Sequence, residues 1–174
     1  MSRLQQFLYG CRDSIPMIVG ILPFGLIYGA LASLAGLSLG QALGMSLLVY
    51  AGSAQFIAIS LLTLGSGMVV ILLTTLVVNL RHVLYSAALQ PYVGKLSQRW
   101  RVPLAFGLTD ETFAVVQRRY LARGMTDHGQ WYHAGVALAL YLSWVSSSLV
   151  GALFGQNVPT LAGWGLDFAM LATF

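Results

Sequence analysis

Charge is what this chain has least of. Only 8% of its 174 residues are Asp, Glu, Lys or Arg, against about 25% in a soluble globular domain. Residues 14–80 carry no charged side chain, and neither do residues 130–166. A fold with a water-facing surface is thereby excluded. The net charge of +4 does not indicate a nucleic-acid binder. Lys95, Arg99 and Arg101 form one basic group and Arg118, Arg119 and Arg123 another, each beside apolar sequence, as cytoplasmic membrane flanks do. Cysteine is equally scarce: a single Cys11 excludes an internal disulfide, and no Cys/His spacing suits a metal. No cofactor is indicated. The His-Glu-x-x-His pattern of membrane metalloproteases is missing, and Asp110 and Asp167 lack the setting of an aspartyl pair, so the chain does not read as an enzyme. No cleavable leader is evident, and the first helix is expected to act as its own insertion signal.

What is present is hydrophobic residue, 57% of the chain. About 20 apolar residues cross a bilayer as a helix, so residues 14–80 alone can hold up to three crossings. Membrane-spanning strands alternate apolar and polar residues, and these runs do not. The expected fold is an all-α integral membrane protein. It is a polytopic bundle of about five to six membrane segments with broken or re-entrant helices, forming one transport domain over residues 1–174. A short interfacial helix opens the chain, with Phe7, Leu8 and Cys11 at helical spacing. Apolar segments follow at residues 15–36, bent by Pro23, and at 41–64 and 67–89. A basic loop at 91–101, a short segment at 102–117, a second basic loop, a long segment at 131–154 and a last one from Pro159 complete the chain.

Residues 102–117 would rise about 24 Å as a helix, short of a hydrocarbon core of about 30 Å. Both flanks are basic, which favours an element that is broken or enters and leaves by the cytoplasmic side. That choice leaves the side of the N-terminus open: three full crossings before Lys95 would place it outside, against the pull of Arg3 and Arg12. Small residues recur four apart at Gly25 and Gly29, and again at Gly151 and Gly155. Such spacing lets helix backbones approach closely.

Polar groups deep in a membrane need a partner, a water-filled cavity or a function. Thr75, Asn79, His82 and Ser86 would share one face of a continuous helix. Arg81 points elsewhere and is either a snorkelling anchor or half of an ion pair. Adjacent residues on a helix diverge by about 100°, so Asp110 and Glu111 cannot both face one partner. One of them could pair with Arg81 while the other lines a cavity or carries a proton, and Thr109 or Asp110 could cap a half-helix. The stretch Gly52, Ser53, Ala54, Gln55 is either a break exposing backbone amides or a packed helix with Gln55 bonded across to a neighbour. Phe24, Tyr28 and Phe56 would supply apolar lining. His133, following Trp131 and Tyr132, reads as interfacial.

Four motifs in this order, PFGLIYG at 23–29, AGSAQF at 51–56, NLRHVLYS at 79–86 and LTDETFA at 108–114, together resemble the AzlC family. These are the large subunits of bacterial branched-chain amino acid exporters. The resemblance covers nearly the whole chain. It implies efflux of valine, leucine, isoleucine and also methionine across the inner membrane, with a small hydrophobic membrane subunit as partner and protons as the coupling ion. Members usually continue beyond this chain's end, so a C-terminal truncation is expected. A branched-chain amino acid needs an apolar pocket with a few polar groups. The expected roles are Ser53 and Gln55 at the carboxylate, Asn79 and Asp110 at the ammonium, and Glu111 or His82 for a proton. A passive channel for small solutes and a purely structural subunit are the competing readings.

Overall fold

A computed structural model describes residues 1–157, all of its regular structure helical. The last apolar segment from Pro159, with Asp167, lies outside the described residues. Helix α1 (Arg3–Asp13) is started by a capping box, Ser2 and Gln5 each bonding the other's backbone N–H. Helix α2 (Ile15–Leu34) runs unbroken through Pro23 and is long and apolar enough to cross a membrane. Helices α3 (Leu39–Leu48) and α4 (Gly52–Thr63) follow, then α5 (Met68–Asn79) and α6 (Arg81–Val93). Helices α7 (Gln98–Phe106) and α8 (Asp110–Arg123) lead into the long α9 (Gly129–Asn157). Met68–Val93 and Gly129–Gly155 are the other stretches of crossing length.

The 41–64 segment is broken, but one turn earlier than its glycine and serine suggested. Residues 49–51 form the interruption, and Gly52, Ser53 and Gln55 make up the first turn of α4. Tyr50 turns the chain at a left-handed φ of 46°, its N–H bonded to the Met45 carbonyl. Such a φ is uncommon for a bulky residue and needs surrounding packing to hold it, consistent with Tyr50's burial.

Two other expectations are corrected. The polar stripe of Thr75, Asn79, His82 and Ser86 does not lie on one regular helix. Helix α5 ends at Asn79, and the Leu80 N–H bonds three residues back to Val77, so the last turn tightens before α6 begins. Thr75 is satisfied within its own helix, donating to the Ile71 carbonyl at 2.8 Å. The basic segments are also more helical than expected, with only Lys95 among their basic residues in a turn, at 94–97. Arg99 and Arg101 stand on α7, and Arg118, Arg119 and Arg123 on the last turns of α8, where cations suit the negative end of the helix dipole.

The chain divides into two compact units. The first comprises Met1–Val19 and Arg81–Leu142; the second comprises Gly20–Leu80 and, among the described residues, 143–157. In the first, α1 lies against the start of α9 through two glycines. A Cβ on Gly10 would strike the Tyr132 carbonyl, and one on Gly135 the Phe7 carbonyl. In the second, α2 and α9 meet in the same way. A Cβ on Gly29 would strike the Ser148 carbonyl, and one on Gly151 the Leu26 carbonyl, while Gly155 sits against Ala30 and Ser33. Small residues four apart thus serve close packing inside one chain.

Candidate functional site

The candidate residues fall into two clusters, one in each unit. In the unit built from α2 to α5 and the end of α9, the centre is Gln55, which is fully buried. Its Nε2 donates to Ser46 Oγ at 3.2 Å, and its Oε1 accepts from Trp144 Nε1 at 3.1 Å. The amide therefore bonds α3 and α9, which is the cross-helix alternative of the sequence reading. Tyr28 is also fully buried; its hydroxyl donates to the Ala42 carbonyl at 2.9 Å and neighbours Gln55 and Ser46. Its ring stacks on Trp144 with centroids 5.9 Å apart and meets Phe56 edge-on at 6.1 Å. Tyr28 and Phe56 thus build an aromatic core with Trp144, while Phe24 stays partly exposed.

This aromatic and amide network holds the head of α4. A Cβ on Gly52 would stand 3.1 Å from the Trp144 ring, so glycine lets the helix start directly beneath the indole. Ala51, at the N-cap position, has no side-chain oxygen for the first turn, and that turn carries no acidic residue. Ser53 lies within it, and Asn79 ends α5 in the same unit. A helix start of this kind presents N–H groups and positive partial charge.

In the other unit, the interruption between α7 and α8 falls at residues 107–109. The segment expected at 102–117 is indeed broken, and its two helices extend further, from Gln98 to Phe106 and from Asp110 to Arg123. Thr109 caps α8, accepting from the Thr112 N–H. Asp110 and Glu111 then occupy the first turn, where negative charge is favoured. Arg81 Nη1 lies 2.7 Å from Asp110 Oδ2, the ion pair the spacing allowed for. The pair is part-buried, with side chains 28% and 40% exposed. Asp110 Oδ1 is buried and accepts no hydrogen bond among the described residues. Tyr85 flanks the carboxylate and stacks on Phe113 at 4.4 Å, with His82 against Tyr85 at 6.0 Å. Glu111 is half-buried beside the pair in sequence.

Two participants were missed. Trp144 gave no local signal, because its partner Gln55 is far away along the chain. His133 was placed at the interface, yet it is 2% exposed and neither ring nitrogen has a hydrogen-bond partner among the described residues. The close approach of α1 at Gly10 and Gly135 covers that part of α9. Among the described residues, no group of His, Cys, Asp and Glu gathers that could hold a metal ion.

The family model described as AzlC protein matches residues 16–158. Among curated proteins, the Escherichia coli "Inner membrane protein YgaZ" is 31% identical over 97% of this chain and 70% of its own length. An "Uncharacterized membrane protein" of Helicobacter pylori is 31% identical over 98% of this chain and 75% of its own. The Bacillus subtilis "Branched-chain amino acid transport protein AzlC" is 34% identical over 92% of this chain and 62% of its own length. No solved structure matches the chain.

Proposed function

Because this helical membrane chain belongs to the AzlC family, we propose that it moves branched-chain amino acids across the bacterial inner membrane. In this reading it is the multi-pass large subunit of a secondary exporter for valine, leucine, isoleucine and methionine. A small hydrophobic membrane subunit is its partner. The name of the Bacillus subtilis relative supports the substrate class. The observation that carries the mechanism is the uncapped start of α4 inside apolar sequence. Discontinuous helices in transporters use such ends to receive a substrate carboxylate.

The chemistry follows from the residues. The first-turn amides of α4 and the Ser53 hydroxyl receive the carboxylate. Gln55, tied to Ser46 and Trp144, sets the position of that turn and is withdrawn from direct contact. Asn79, in the same unit as α4, is the acceptor for the ammonium. Phe24 offers apolar surface to the aliphatic side chain, and the fully buried Tyr28 supports α4 through its packing on Trp144 and Phe56. In the other unit, the Arg81–Asp110 pair with Glu111 and His82 provides the groups that exchange a proton. Binding is thereby shared between polar contacts to the zwitterion and apolar contacts to the side chain.

Proteoliposomes loaded with labelled leucine, prepared with and without the small subunit, test this. Efflux that rises with an imposed proton gradient and falls in Ser53→Ala and Glu111→Gln variants is the expected result. Efflux unaffected by either variant removes these residues from the path. Equilibration that ignores a protonophore makes the protein a passive channel instead. Transport by the small subunit alone makes this chain structural.

A further inference from the structure

The arginines at the ends of α1 and α8 take no part in the chemistry above. Arg12 stands in the last turn of α1, and Arg118, Arg119 and Arg123 in the last turns of α8. All four border one groove of about 480 Å³ in the first unit. The groove holds a single carboxylate, Asp13, and its Oδ2 accepts from the Tyr132 hydroxyl at 2.8 Å. Arg119 is occupied as well: its guanidinium lies 4.7 Å from the centroid of the Tyr132 ring and donates to Gln6 Oε1 at 3.4 Å. Among the described residues, Arg12, Arg118 and Arg123 have no carboxylate at ion-pair distance.

Three uncompensated guanidinium groups around one groove call for an anion with several oxygens. The rest of the lining narrows the choice. Pro16 and Met17 open α2, which is long and apolar enough to cross a membrane, and Ala114 and Val115 belong to α8. The groove therefore begins at charged groups and continues along apolar ones, at the level where α2 starts. A soluble anion leaves that apolar lining uncovered, and a zwitterionic headgroup leaves the positive charge unbalanced.

We propose that this groove binds an anionic phospholipid. Its phosphate sits among Arg12, Arg118 and Arg123, and the start of an acyl chain lies along Pro16, Met17 and Ala114. Helices α1 and α8 fix the points from which the three arginines extend, which suits them to converge on one headgroup rather than on a diffuse lipid surface.

The full-length chain in detergent, titrated with phosphatidylglycerol or phosphatidylcholine and read by native mass spectrometry, tests the proposal. Phosphatidylglycerol is expected to be retained in preference to phosphatidylcholine. Each arginine contributes about fivefold in affinity, so the Arg118→Gln/Arg123→Gln pair is expected to bind about 25-fold more weakly. The Arg118→Lys/Arg123→Lys pair keeps the preference for the anionic lipid. Should the glutamine pair fail to fold, Arg12→Gln on the other helix gives the single fivefold step. Equal retention of the two lipids in the wild type, or undiminished binding in the glutamine variants, overturns the proposal. Displacement of phosphatidylglycerol by inorganic phosphate at equal concentration overturns it too, and assigns the groove to a soluble anion.

Discussion

Replacing Asp110 with asparagine removes one charge and leaves Arg81 with its guanidinium facing a neutral amide. The consequence can be worked from the geometry. Two unit charges 2.7 Å apart attract by about 6 kcal/mol at an effective dielectric of about 20. Desolvation and the ordering of both side chains offset most of this. Partial exposure of 28% and 40% moves the net value from the buried range toward the surface range, leaving ~1–3 kcal/mol. A charge in the first turn of α8 adds ~0.3–1 kcal/mol through the helix dipole, and Asp110→Asn forfeits that as well. The Arg81→Gln and Asp110→Asn variants are each expected to lose about 2 kcal/mol. The double variant should lose less than their sum by ~1–2 kcal/mol, because the pair energy is counted in both singles but lost only once, while the dipole loss occurs in both Asp110→Asn steps and cancels.

Thermal unfolding of the four proteins in nanodiscs, followed by tryptophan fluorescence, measures this cycle. Each single change should lower the midpoint by roughly 4–8 °C, on the scaling of chains of this size. Additivity within ~0.5 kcal/mol would refute the argument, since the pair would then contribute nothing beyond its separate members. Leucine efflux by the double variant adds a second reading. A non-additive loss of stability with no efflux in the double variant gives Asp110 a part in transport itself, whereas efflux in the double variant above that of either single leaves the pair a structural tie.

Three further outcomes are expected. Gly29→Ala would press its methyl onto the Ser148 carbonyl and should cost about 1–3 kcal/mol, whereas Gly44→Ala meets open space and should gain ~0.5–1 kcal/mol; equal effects on unfolding would contradict the packing assigned to α2 and α9. His133→Leu removes two buried nitrogens without partners and should raise stability by about 1–3 kcal/mol in the same assay, a loss pointing instead to a polar partner of the imidazole. Gln55→Leu should strand the buried Trp144 N–H and the Ser46 hydroxyl at a cost of about 2–4 kcal/mol, and pairing it with Trp144→Phe should recover part of that; no recovery would mean that the two side chains act independently.

The parts of this fold that could be read from sequence are those dictated by short-range chemistry. Lipid as solvent demands long uncharged helices, so α2 and α9 declare themselves by composition. Thr109 ahead of Asp110 and Glu111 is a local helix-start signal, and it caps α8. Arg81 has few carboxylates to choose from in so uncharged a chain, and that scarcity makes its pairing with Asp110 legible from composition. What escaped depends on distant neighbours. Nothing near Trp144 says that its indole will bond Gln55, and nothing near His133 says that α1 will cover it. The stop at Asn79 escaped for another reason: neither glycine nor proline marks it, only a tightened turn at Leu80. In the basic segments, charge was taken for loop, although arginine is a good helix former.

The two interruptions differ in a way that bears on the proposed zwitterionic cargo. Both start a helix within a largely apolar setting, and each start carries positive partial charge. At α8 that charge is already answered, by the Thr109 hydroxyl and by two acidic residues in the first turn. At α4 nothing of the kind is present: the capping position is alanine, and the turn holds glycine, serine, alanine and a glutamine whose amide is bonded to Ser46 and Trp144. An arriving carboxylate therefore finds an unanswered field at α4 and repulsion at α8, and an ammonium finds the reverse. Placing an aspartate at position 51 would fill the α4 field from within. On this reasoning Ala51→Asp should weaken leucine transport, whereas Ala51→Ser, which caps without a full charge, should weaken it less.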